Sequence, residues 1–235
     1  MILQDSCYQI KLYLHLCASS GIGMQIKGAK YSTSSPSVEK CPAADRPEIA
    51  FIGRSNVGKS SLINMLCNNS ALAKISSTPG KTQLINHFEI TSPPATGQKM
   101  NRGEKQWYLV DLPGYGFAKV SQSSRRRWEQ MIEGYLRKRK NLSIVFLLID
   151  SRHAPQKIDL DFVDKLGKWQ IPFALVFTKT DKNKPAVTEN NINLFMQALE
   201  QSWEQPPNFF LTSAITKEGR KEMLDYIWQF LNHAG

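Results

Sequence analysis

Residues 53–60, GRSNVGKS, match the pattern GxxxxGK[ST]. Glycines at such positions let the backbone curl until successive N–H groups point at an anion. A lysine can then reach β- and γ-phosphates, and a hydroxyl can ligate a hard divalent cation. Gly53, Arg54, Ser55, Asn56, Val57, Gly58, Lys59 and Ser60 are therefore expected to cradle phosphates, with Ser60 on Mg²⁺. The motif leaves ATP and GTP equally open. Thr178-Lys179-Thr180-Asp181 decides between them, because it resembles the pattern [NT]KxD. Asp181 can accept both N1–H and N2–H of guanine, a donor pair that adenine lacks, and a carboxylate denied those donors is costly to enclose. Lys179 is expected to lay its aliphatic stem along the base, and Ser213, Ala214 and Ile215 form a second guanine loop.

A third segment, Asp111-Leu112-Pro113-Gly114, matches DxxG. Asp111 is expected to hold Mg²⁺ through water, and the Gly114 N–H to bond the γ-phosphate, so that loss of that phosphate releases the loop. In the segment TPGKT, Thr82 is expected as the second magnesium hydroxyl, with Thr78 as its rival; Gly80, Lys81, Gln83 and Leu84 line the same loop. Lys59, Asn56 and Gly114 are the candidates for direct action on hydrolysis.

These motifs need strands to end beside them. Residues 48–52 (EIAFI) are a short apolar strand running into Gly53, and 60–66 have helical spacing. Strands are expected at 84–90, 106–112, 143–149 (SIVFLLI), 173–177 and 209–212, and helices at 124–139, 157–169, 187–203 and 217–231. Segments 68–82 and 91–105 read as loops. Strands alternating with helices imply an α/β fold, a mostly parallel six-stranded sheet with helices on both faces. One domain is expected over residues 43–235.

Residues 1–42 carry no arginine and few acids, and read either as an organelle transit peptide or as a disordered tail. The four cysteines are scattered without CxxC pairing, which argues against a disulfide framework or a structural zinc site. No run approaches the 18 or so apolar residues that a membrane helix needs. The chain of 235 residues carries a formal charge of +10, and residues 97–140 hold eleven Lys/Arg against four Asp/Glu. That stretch is either a solvated helix face or a surface that meets nucleic-acid phosphates.

The segments GRSNVGKSSLIN, TPGKTQLINHF, DLPGYGFAKV, RRRWEQMIEGYL, DSRH and TKTD together resemble the EngB/YihA/YsxC class of TRAFAC GTPases, from about Arg46 to the end. The resemblance implies a single Ras-like P-loop GTPase domain acting in assembly of the large ribosomal subunit. Its partner is then ribosomal RNA or a ribosomal subunit rather than DNA, and the protein is a monomer. The longer leader and the longer 91–105 loop suggest an organellar version, similar to the mitochondrial GTP-binding protein 8 group; a cytoplasmic location is the alternative. A GTP-dependent protein-interaction module with negligible hydrolysis is the second functional reading, and a P-loop kinase or ATPase the third, disfavoured by Asp181. Ras-like switches orient the attacking water with a glutamine after DxxG. Here Tyr115 stands in that position, so slow isolated turnover is expected. Asn56 in GxxNxGKS resembles GTPases that hold a monovalent cation beside the phosphates, which makes K⁺ dependence the matching expectation.

Overall fold

The computed structural model of the chain describes residues 23–74, 84–93, 103–116 and 122–233. Residues 1–22, the 75–83 segment with Thr78, Gly80, Lys81, Thr82 and Gln83, and residues 94–102 and 117–121 lie outside the described residues.

Strand β2 (Glu48–Gly53) is buried along its whole length, as are nearly all positions of β5 (Leu142–Asp150) and β6 (Phe173–Thr178). Such continuous apolar runs suit parallel strands covered on both faces. With β4 (Lys105–Asp111) and β7 (Phe209–Leu211) they make five parallel strands in the order β4-β2-β5-β6-β7. β3 (Ile85–Ser92) joins β4 antiparallel, and β1 (Gly28–Ser35) joins β3 antiparallel at the sheet edge. The sheet has seven strands, one more than expected.

The additional strand lies inside the segment expected to be leader. Its sequence, GAKYSTSS, lacks apolar alternation because it is an edge strand held by its ladder and by polar pairs: Ser34 Oγ donates to Asn86 Oδ1 (2.6 Å) and Lys30 pairs with Glu89 (2.8 Å). Just before it, Met24 is buried and its N–H donates to Asp225 Oδ1 at 3.1 Å.

Helices α1 (Lys59–Cys67) and α5 (Arg220–His233) cover one face. There Ile49 and Phe51 of β2 pack with Leu62, Ile63, Leu66, Leu224 and Trp228. The other face carries α2 (Gln122–Lys138), α3 (Lys157–Lys168) and α4 (Pro185–Glu200). There Ala50 and Ile52 meet Ile132, Tyr135, Val163, Leu166 and Phe195. The two-residue alternation of β2 thus serves two cores at once. Cys67 is buried, as its place in a helical pattern predicts, and burial pushes its thiol up to about 12. Among the described residues no helix is long and apolar enough to cross a membrane.

Candidate functional site

The carboxyl ends of β2, β4, β5, β6 and β7 deliver the three motifs to one edge of the sheet. Between β2 and α1 the chain turns sharply: Asn56 has φ 62° and Gly58 φ 104°. α1 starts at Lys59, so the amides of its first turn have no partner within the helix and face the concave loop, a ready anion site with the positive end of the helix behind it. Ser55 Oγ is buried in this loop with no hydrogen-bond partner, as befits a group awaiting a ligand.

Lys59 is nearly enclosed and pairs with Asp111, which is 3% exposed at the end of β4. Burial pushes the Lys59 ammonium down to about 7, while the carboxylate beside it favours the charged form. Asn86 Nδ2 lies 3.5 Å from the other Asp111 oxygen. Lys59 and Asp111 are therefore brought together, with Ser60 next along α1. After Asp111 the chain hugs the phosphate loop: the Leu112 N–H donates to Phe51 O (3.0 Å) and the Tyr115 N–H to Gly53 O (3.2 Å). A Cβ on Gly114 would sit 2.9 Å from Gly53 O, so only glycine brings this amide so close. Pro113 completes the turn. Leu84, at the edge of the undescribed 75–83 segment, is exposed.

At the end of β6, Thr178 Oγ1 donates to Val57 O at 2.6 Å, tying the TKTD segment to the phosphate loop. Lys179 adopts φ 63°, and its Nζ reaches Asn56 O (2.5 Å) and Asp150 Oδ2 (2.8 Å). Its stem crosses the loop, with Cε 3.5 Å from where a Gly58 Cβ would be. Asp181 accepts from the Ser213 hydroxyl at 2.7 Å, and that hydroxyl in turn accepts the Ile215 and Thr216 amides. The Ser213 hydrogen bond holds Asp181 below the usual carboxylate range, which keeps it an acceptor. Thr180 donates to Glu218 Oε2 (2.5 Å), and Ile215, 73% exposed, lies open beside Ala214. The TKTD segment and the Ser213–Ile215 loop thus meet at one place.

Two residues behave otherwise. Arg54, expected among the phosphate-binding residues, contributes backbone to the loop but sends its side chain to Asp159 of α3, with Nε 3.1 Å from Oδ2. Arg139, counted with the basic surface, is withdrawn from it: its side chain is 9% exposed and pairs with Glu48 at 2.6 Å.

Sequence reasoning passed over Asp150. Its carboxylate braces Lys179 and accepts from Arg152 Nε at 2.9 Å. Burial raises its pKa, but hydrogen bonds from Arg152 and Lys179 outweigh that and bring it to about 2. The signal was an acid closing the apolar run SIVFLLI, at the carboxyl end of a buried parallel strand.

A phosphate loop between β2 and α1, an acid and glycine after β4, and a lysine–aspartate pair after β6 define a guanine-nucleotide-binding P-loop domain. The family model described as 50S ribosome-binding GTPase matches residues 48–179. The probable GTP-binding protein EngB of Christiangramia forsetii is 48% identical over 204 residues, covering 87% of this chain and 96% of that protein. The corresponding protein of Porphyromonas gingivalis is 50% identical over 204 residues, covering 87% of this chain and 95% of that protein. The chain belongs to the EngB family of GTPases. Among solved structures, an EngB crystal structure matches with a TM-score of 0.54 and 22% identity, covering 79% of this chain and 99% of that one. The Era GTPase in complex with MgGDPNP and a 16S ribosomal RNA fragment matches with a TM-score of 0.60 and 22% identity, covering 78% of this chain and 56% of Era; that likeness is one of fold.

Proposed function

We propose that this GTPase is a nucleotide-driven switch acting on the large ribosomal subunit. The observation that carries the reading is the match of residues 48–179 to the 50S ribosome-binding GTPase family. Exposed Arg126, Arg127, Arg137, Lys138 and Lys140 support it, because they gather near the start and at the end of α2, the helix that follows the DxxG segment. The side chain of Arg125 lies outside the described residues. Such a cluster suits an RNA backbone, whose neutralisation releases counterions.

The residues present suit Mg²⁺. Ser60 and Asp111 offer hard oxygen donors, and Asp111 is a buried carboxylate whose present partner, Lys59, has its own destination on the phosphates. Ser60 and Asp111 would hold the ion, with Thr82 as the third donor. Bound there, magnesium would supply neutralisation of phosphate charge. Around it, the loop amides bind the phosphate oxygens, Lys59 exchanges a carboxylate partner for them, and Asp181 accepts the guanine N–H groups. Gly114 N–H meets the γ-phosphate. K⁺ is proposed beside Asn56, which is exposed at the loop apex.

Slow intrinsic turnover follows from Tyr115: it has no amide to orient water, and its hydroxyl is committed to Asp159. A ribosomal activator supplies what is missing. For location we propose the mitochondrial reading, which rests on the longer leader and the longer 91–105 loop; residues 1–42 fused to a fluorescent protein test it, and a diffuse cytoplasmic signal overturns it.

The central experiment captures tagged protein loaded with GTP or GDP and asks whether large-subunit RNA comes with it. RNA retained with GTP, released with GDP and lost steeply with salt is the expected result. Changing Arg125, Arg126 and Arg127 to Ala should lower the salt slope by about one per phosphate contact removed. An unchanged slope makes the basic cluster a solvated face, and protein partners without RNA favour an interaction module.

A further inference from the structure

Tyr115 and Arg54 sit opposite each other in an isolated parallel bridge, one from the DxxG segment and one from the phosphate loop. Both side chains leave the nucleotide edge and converge on one carboxylate. Asp159 is fully buried in the first turn of α3. Its Oδ1 accepts the Tyr115 hydroxyl at 2.8 Å, and its Oδ2 forms an ion pair with Arg54 Nε at 3.1 Å. The Tyr115 ring stacks on Phe162, one helical turn further on, with centroids 4.5 Å apart and planes 7° from parallel. Burial raises the Asp159 pKa, while Tyr115 and Arg54 oppose that rise; the amino end of α3 also favours negative charge.

This arrangement brackets one amide. Gly114 lies directly before Tyr115 and against Gly53 O, and Gly116 directly after it turns with φ 79°. A Cβ at Gly116 would approach Ile158 Cδ1 to 3.0 Å, so the chain leaves the clamp over α3 by a path open to glycine. Phosphate loop, DxxG segment and α3 therefore share a single buried anchor, two residues of which flank the γ-phosphate donor.

We infer that Asp159 is a positioning residue for the triphosphate: through Tyr115 and Arg54 it holds the Gly114 amide against the phosphate loop, so recognition and hydrolysis of GTP depend on it while GDP binding does not. The clamp rests on the GTP chemistry of the family and is independent of the ribosomal role.

Asp159→Asn, Tyr115→Phe and the double variant test it. Tyr115→Phe keeps the ring on Phe162 and removes only the hydroxyl. Each single variant should lower the affinity for a non-hydrolysable GTP analogue and the single-turnover GTP rate by about tenfold, the loss expected when one hydrogen bond to a charged group goes. GDP affinity should stay within about twofold, since GDP lacks the group that Gly114 meets. The double variant should be no worse than the more damaged single, because both break the same anchor. A general loss of packing would instead lower GDP affinity in parallel, and that result overturns the inference, as does a wild-type ratio of analogue to GDP affinity in Tyr115→Phe. If Asp159→Asn does not fold, Tyr115→Phe alone decides. The binding ratio is read without turnover, so a failure of the clamp is distinct from a failure of hydrolysis.

Discussion

At its first residue β2 carries Glu48, fully buried, which accepts the Tyr135 hydroxyl (2.6 Å) and both Arg139 Nε (2.9 Å) and Nη2 (2.6 Å), with His87 Nε2 at 3.3 Å. At its last residue the same strand opens into the phosphate loop, where Lys59 pairs with Asp111 and Lys179 with Asp150. Both poles bury ion pairs. At the first, Arg139 also donates to Pro42 O, and the protein supplies the partners of the Glu48 carboxylate, tying α2 to the sheet. At the second, the cations border the first turn of α1, whose amides have no partner within the helix, and the orphaned Ser55 hydroxyl, so they can change partner when phosphate arrives. A buried charge with all its partners supplied by the protein holds structure, whereas one bordering open donors is available for chemistry.

The sharpest way to break the comparison is Glu48→Gln, which leaves the Arg139 guanidinium buried beside a neutral amide. Unfolding free energy measured in urea should fall by about 3–5 kcal/mol, with GDP affinity at native conditions unchanged. A matching loss of GDP affinity would show that the poles are not separable.

Acid probes both poles together. Burial raises the Glu48 pKa, but contacts with His87, Arg139 and Tyr135 bring it to about 2, and Asp150 is likewise held at about 2. Carboxylates depressed on folding add stability that is complete above their unfolded values and lost as pH falls toward the folded ones. Stability should therefore decline between about pH 4.5 and 2 by about 3 kcal/mol through Glu48, and chemical denaturation across that range should show Glu48→Gln declining less. Equal slopes for the two proteins would remove Glu48 as the cause.

Lys59→Ala reverses the first outcome. Affinity for a GTP analogue should drop on the order of 100-fold as charge-assisted bonds to phosphate are lost, while urea stability should fall by less than in Glu48→Gln, because burial already disfavours the Lys59 ammonium. A collapse of stability would assign Lys59 to the scaffold.

The smallest effect concerns Asn56. Steady-state hydrolysis should run several-fold faster in KCl than in NaCl at equal ionic strength, by added positive charge beside the phosphates, and Asn56→Ala should abolish the difference. Equal wild-type rates refute the cation role and leave the activation to a partner.

How much of this was legible in the sequence varies with the range of the forces involved. Local patterns set the strands that end at Gly53, Asp111 and Thr178, because a glycine-rich turn after an apolar run states its conformation within a few residues. Nucleotide class was legible for the same reason: Asp181 and Lys179 are read by type and spacing. β1 was not, since an edge strand stabilised by Ser32, Ser34 and Lys30 against β3 carries no apolar period of its own. Arg54 and Arg139 show the limit most clearly. A basic residue in sequence is only a charge; which anion it meets depends on elements far along the chain, and here Asp159 and Glu48 drew both inward. Local pattern was enough to read the chemistry at the mouth of the site, but which charges stay there and which hold the fold followed from packing, because pairing buried charges is a long-range requirement that no local pattern encodes.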